Sequence, residues 1–219
     1  MTDIHGTGRP IGGLTAVWRQ AEGEPEGALV LLHGRGADEH DLAGLGDELD
    51  PRSRLLAVCP RAPMPWPPGH SWYEPGPAPG VPQSESFAAG VTAATRFLDA
   101  FADVTGIPPA ATVLAGFSQG AAVALSVGLD PARPAVAGVL AMSGFLVADA
   151  PLASAPDAPP VLITHGTLDD LLPVGLGRDA RDRVRAAGVI ADYRESPVGH
   201  GVDPAGLPMM ARFVARCLP

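Results

Sequence analysis

Seven short β-rich runs, at 14–19, 28–33, 55–59, 112–115, 136–142, 161–164 and 191–195, are separated by longer stretches with helical patterning. Several of them are almost continuously apolar, as in Ala28-Leu-Val-Leu-Leu32. A strand with no polar face is covered on both sides, and parallel sheets flanked by helices provide that cover. Helices are expected near 39–49, 84–103, 119–129, 174–187 and 204–217. The second has the clearest pattern. Glu85 sits in its first turn, Phe87, Val91, Ala94, Leu98 and Phe101 follow at spacings of three and four, and Gly106 and Pro108 close it. Alternating strands and helices predict an α/β domain with a mainly parallel central sheet and right-handed crossovers.

The chain has 219 residues, 46% of them hydrophobic, enough for one substantial core without disulfides or metals. A single domain over 1–219 is expected, with the first 12 residues flexible. Residues 60–83 hold nine prolines together with Trp66, Trp72 and Tyr73. They are read as a long irregular loop, of the kind that often carries function.

The formal charge is −9, and all fifteen basic residues are arginines. A net negative field with no basic stripe argues against nucleic acid as a partner. The absence of Lys and Asn is read as codon bias in a GC-rich bacterial genome. It also removes Schiff-base, P-loop and Ser–Lys chemistry. Cys59 and Cys217 form no framework or CxxC pair, which fits a reducing compartment. The first ten residues lack a signal pattern, and no apolar window is long enough to span a bilayer, so a soluble, cytoplasmic protein is expected.

The feature richest in chemistry is Gly116-Phe-Ser118-Gln-Gly120, between a β-rich run and a helical run. A serine on a sharp strand-to-helix turn stands at a helix N-terminus, where amides and dipole favour developing negative charge. In an α/β-hydrolase fold the chain order is Ser, then acid, then His. Only His165 and His200 follow Ser118. His165 ends a strand and is read as structural. His200 lies in a loop between the last strand and the last helix, so it is the candidate base. Asp169 or Asp170, after the strand at 161–164, is the candidate acid that orients it. Gly-rich Leu32-His-Gly-Arg-Gly-Ala37 ends a buried strand where this fold supplies one oxyanion amide. The amide after the nucleophile, that of Gln119, would supply the other.

Together Leu32-His-Gly-Arg-Gly-Ala-Asp38, Gly116-Phe-Ser-Gln-Gly120, Ser143-Gly-Phe145, His165-Gly-x-x-Asp169 and Gly199-His200 resemble the bacterial phospholipase/carboxylesterase family, related to the acyl-protein thioesterases. The resemblance runs from about Ala28 to the C-terminus. It implies a minimal α/β-hydrolase without a cap domain or cofactor, with Ser118 as nucleophile, Asp169 rather than Asp170 as acid, and His200 as base. It also implies the Arg35 and Gln119 amides as oxyanion hole, and Trp72, Tyr73 and Phe145 as walls of a substrate pocket. The implied activity is hydrolysis of short- to medium-chain carboxylic esters through an acyl-enzyme, with lysophospholipids or S-acyl proteins as alternatives. Some members of the family are homodimers. Two departures stand out: Arg35 replaces a Leu of the thioesterase branch, placing a cation where long apolar chains are disfavoured, and Ala121 replaces a common Gly.

Three rival readings stand beside this one. A metal-dependent hydrolase built on His33, Asp38, His40 and Asp41 matches no zinc spacing. A non-catalytic binding module would be expected to lack one of the three triad residues. A peptidase or perhydrolase would use the same triad.

Overall fold

The computed structural model describes residues 10–218. In chain order the elements are β1 (Ala16–Arg19), β2 (Gly27–Leu32), α1 (Ala43–Leu49), β3 (Leu55–Pro60), β4 (Met64–Trp66), β5 (Gly69–Ser71), β6 (Pro75–Ala78) and β7 (Val81–Pro82). They continue with α2 (Ser84–Thr105), β8 (Thr112–Phe117), α3 (Gln119–Gly128), β9 (Gly138–Met142), β10 (Val161–Gly166), α4 (Gly175–Ala186), β11 (Ala191–Ser196) and α5 (Leu207–Arg216).

The seven β-rich runs become one sheet in the order β1-β3-β2-β8-β9-β10-β11. Only β1 is antiparallel to its neighbour; the other pairings are parallel. Alternate side chains go to opposite faces. Val30, Leu32, Leu114, Val139 and Ile163 pack with Phe97, Phe101, Val123 and Val184 of α2, α3 and α4. Leu29, Leu31, Val113, Leu140 and Leu162 pack with Leu49, Met210, Phe213 and Val214 of α1 and α5. Burying a side chain of this size stabilises the fold by about 1.5–3 kcal/mol. That explains why the central strands β2, β3 and β9 contain no charged residues, whereas the edge strand β11, which is only partly buried, carries Asp192, Arg194 and Glu195. The expected α/β-hydrolase architecture, with helices on both faces, is present.

Two segments differ from the sequence reading. The helix expected from 39 begins at Ala43, because Asp38 accepts from the His40 amide at 2.9 Å and ties the chain into a turn. Glu39 then points inward and meets Arg61 in a two-bond pair of 2.6 and 2.5 Å. Residues 60–83 are not one irregular loop. They form two small hairpins, β4–β5 and β6–β7, separate from the main sheet. Strands of two to four residues rich in proline carry too few ladder donors to show a period-two signal.

Of the N-terminal residues expected to be flexible, 1–9 lie outside the described residues. Ile11 is buried and exchanges backbone hydrogen bonds of 2.9 and 3.0 Å with Leu14. Among the described residues no helix is long and apolar enough to cross a membrane.

The junction of β8 with α3 is the tightest point. A Cβ on Gly120 would overlap the Leu32 and His33 carbonyls, and one on Gly116 would overlap the Gly120 carbonyl. Gly44 in α1, by contrast, has open space around its missing Cβ. Gly120→Ala should therefore destabilise by about 1–3 kcal/mol through overpacking. Gly44→Ala should stabilise by about 0.5–1 kcal/mol through helix propensity. Urea unfolding of both variants checks the pair, and equal effects would contradict the packing described here.

Candidate active site

Ser118 is the N-cap of α3, with φ 54° and ψ −115°. A backbone in that region costs on the order of 1–3 kcal/mol and persists only where neighbours impose it. Here the Ser118 amide donates to the Met142 carbonyl of β9 at 2.8 Å, and α3 that follows is buried along its whole length. Driving a fully buried helix against the sheet leaves the serine no room to relax, and its hydroxyl is turned outward.

The structure brings three of the sequence candidates into one line. His200 Nε2 is 2.8 Å from Ser118 Oγ, and His200 Nδ1 is 2.7 Å from Asp169 Oδ2. Asp169 is buried at the end of the loop after β10, and its Oδ1 accepts from the Leu171 and Leu172 amides at 3.0 and 2.8 Å. Asp170 is exposed and makes no side-chain hydrogen bond or ion pair among the described residues. His165 binds the Leu172 carbonyl through Nε2 at 2.7 Å, and that nitrogen lies 3.5 Å from Asp169 Oδ2, so it braces the acid loop from below. A hydroxyl bonded to an imidazole, whose other nitrogen faces a fixed carboxylate, can pass its proton to the ring.

Above Ser118 the β2 strand ends in Gly34-Arg35-Gly36. The Gly36 amide is engaged by the His70 carbonyl at 2.8 Å. The amides of Arg35 and Gln119 donate to no other group among the described residues. Both are free donors beside the serine, as an oxyanion hole requires. His33, just before this turn, is buried, and burial lowers its pKa. Its Nδ1 meets the Gly34 carbonyl at 2.7 Å and its Nε2 accepts the Ala62 amide at 3.0 Å. Both ring nitrogens are thus used in holding the strand end, which leaves neither as a metal ligand.

A cavity of about 400 Å³ opens beside Ser118. Tyr73 and Phe145 line it, as the resemblance implied, together with Phe117, Leu171, Leu172 and the whole β6–β7 hairpin. Trp72 does not. It is fully buried, its Nε1 donates to the His33 carbonyl at 2.9 Å, and its ring lies 5.8 Å from that of His33. The wall role expected of Trp72 is corrected to a packing role: the indole fills the space under the strand end.

Two positioning residues escaped the sequence reading. The Gln119 side chain is buried and binds three successive residues of the Pro-rich segment. Its Oε1 accepts from the Trp72 amide at 2.7 Å, and its Nε2 donates to the Tyr73 carbonyl at 2.6 Å and to Ser71 Oγ at 3.0 Å. Ser143 adopts φ 49° and donates from Oγ to the Gly201 carbonyl at 3.1 Å, fixing the loop that carries His200. Both stood in quoted motifs, but a partner distant in sequence gives no local signal.

The sequence matches the phospholipase/carboxylesterase family over residues 15–218. Among curated relatives, an acyl-protein thioesterase 1 from Neurospora crassa is 29% identical, over 87% of this chain and 86% of its own. Among solved structures, esterase PE8 superposes with a TM-score of 0.81 at 32% identity, covering 94% of this chain and 99% of that one. A carboxylesterase from Mesorhizobium loti superposes with a TM-score of 0.85, over 97% of this chain and 99% of that one. At 22% identity the second likeness is one of fold. Sequence and architecture agree: the chain belongs to the phospholipase/carboxylesterase family.

Proposed function

We propose that the chain hydrolyses carboxylic esters or thioesters by acyl transfer through Ser118. The observation that carries this reading is the continuous hydrogen-bonded line from Ser118 Oγ through His200 to Asp169. In the proposed reaction Ser118 Oγ attacks the carbonyl carbon while its proton passes to His200 Nε2. The carbonyl oxygen gains the negative charge and is met by the Arg35 and Gln119 amides, each contributing about 3 kcal/mol of transition-state stabilisation. The bond to the alkoxide or thiolate leaving group then breaks, and His200 returns the proton to it. Water, deprotonated by His200, releases the acid from the acyl-enzyme.

Asp169 holds His200 with Nδ1–H toward the carboxylate and offsets the positive charge the ring acquires. The Leu171 and Leu172 amides, donating to its other oxygen, fix the orientation of the carboxylate. The cavity, walled by proline and aromatic side chains, fits short- to medium-chain acyl groups. The thioester alternative has specific support in the acyl-protein thioesterase from Neurospora crassa, which aligns along most of the chain. A homodimer is proposed from the family resemblance, and a cytoplasmic location from the unpaired Cys59 and Cys217.

Ser118→Ala should lower kcat on a p-nitrophenyl ester by at least about 10³-fold with an unchanged circular dichroism spectrum. Covalent labelling by a fluorophosphonate should disappear with it; a variant that kept its activity would remove Ser118 from the mechanism. Asp169→Asn should cost about 10⁴-fold in kcat, because the amide favours the wrong imidazole tautomer. Asp170→Asn should stay close to wild type, and the reverse order would assign the acid to Asp170. Rates on matched oxygen and sulfur esters decide between the two leaving groups.

A further inference from the structure

The cavity beside Ser118 has one permanent charge in its walls, and that charge is positive. Among the described residues Arg35 lines it, whereas no Asp or Glu does. The remaining wall is mainly proline, phenylalanine and leucine. Arg54, Arg61, Arg133 and Arg178 each have an acidic partner. Among the described residues Arg35 has none, and the residue is exposed. Its guanidinium carbon lies 5.5 Å from the centroid of the Trp66 ring, on β4. A cation–π contact engages no N–H donor, so the guanidinium keeps its donors free. Those donors match the two oxygens of a carboxylate or phosphate. The charge is also felt inside the cavity: burial raises the Tyr73 phenol above its usual range, and Arg35 opposes that shift.

We propose that the Arg35 side chain binds an anionic group, carboxylate or phosphate, carried by the substrate. The inference rests on the acyl-transfer reading above. Because the amide of Arg35 is the proposed donor to the scissile carbonyl oxygen, the anion lies within one arginine side chain of that carbonyl. Half-esters of short dicarboxylic acids and acyl esters of small phosphorylated alcohols have this form. A long unsubstituted acyl chain would instead press methylenes against a cation and strip its water without replacing it.

The test compares kcat/KM for charged and neutral partners of similar size. Monomethyl succinate against methyl butyrate forms the carboxylate arm, and the butyryl ester of glycerol 3-phosphate against glycerol monobutyrate forms the phosphate arm. Ionic strength is held fixed, because a chain of net charge −9 repels anions at long range. Wild type, Arg35→Gln and Arg35→Lys are measured side by side. In at least one arm, Arg35→Gln should lower the charged-to-neutral ratio by about ten- to hundredfold, the scale of losing a hydrogen bond to a charged group. Arg35→Lys should retain part of the ratio. The arm that responds identifies the anion. A ratio equal in wild type and Arg35→Gln in both arms overturns the inference while leaving the hydrolase reading intact. Wild type that cleaves none of the four esters and takes no fluorophosphonate label overturns the hydrolase reading itself, and this inference with it.

Discussion

The site depends on a contact between two backbones. At Gly120 the first turn of α3 runs against the carbonyls of Leu32 and His33, with no space for a side chain between them. That approach sets the distance between the end of β2 and the serine turn, and so between the two free amides and the hydroxyl. The strained dihedrals of Ser118 follow from it, since the chain must leave β8 and enter α3 within one residue. Apolar burial along α3 supplies the force that holds the turn closed.

Around that point the side chains form a scaffold of few, specific bonds. Gln119 joins the turn to Ser71, Trp72 and Tyr73, so the same residue that offers an amide to the site also anchors the cavity wall. Ser143 joins β9 to the His200 loop, and His165 joins β10 to the acid loop. Each of the three leaves a strand end and reaches a neighbouring loop. This is how an open α/β sheet fixes loop residues that it does not itself contain.

Much of this was legible in the sequence. Strand runs such as 28–33 and 55–59 stand out because burial on two faces removes polar residues. The order Ser118, Asp169, His200 follows the chain order of the fold. Ser143 and the Gln119 side chain were not legible in their roles, since their partners lie 58 and 46 to 48 residues away. The hairpins within 60–83 were hidden by proline, which leaves a strand without donors. Trp72 misled for a related reason: an aromatic residue in a Pro-rich segment reads the same whether it faces a substrate or the underside of a strand.

The β6–β7 wall has a further consequence. Four of the eight residues from Pro75 to Pro82 are prolines and have no amide hydrogen. A carbonyl oxygen entering the cavity therefore meets a surface poor in donors on that side. The same cavity is lined by Arg35 and Gln119, whose amides are unengaged among the described residues. In the proposed reaction the wall would act as a filter on orientation: it would give a misplaced carbonyl little to bind, so the acyl group would register at the serine turn without the wall needing to recognise the acyl chain itself.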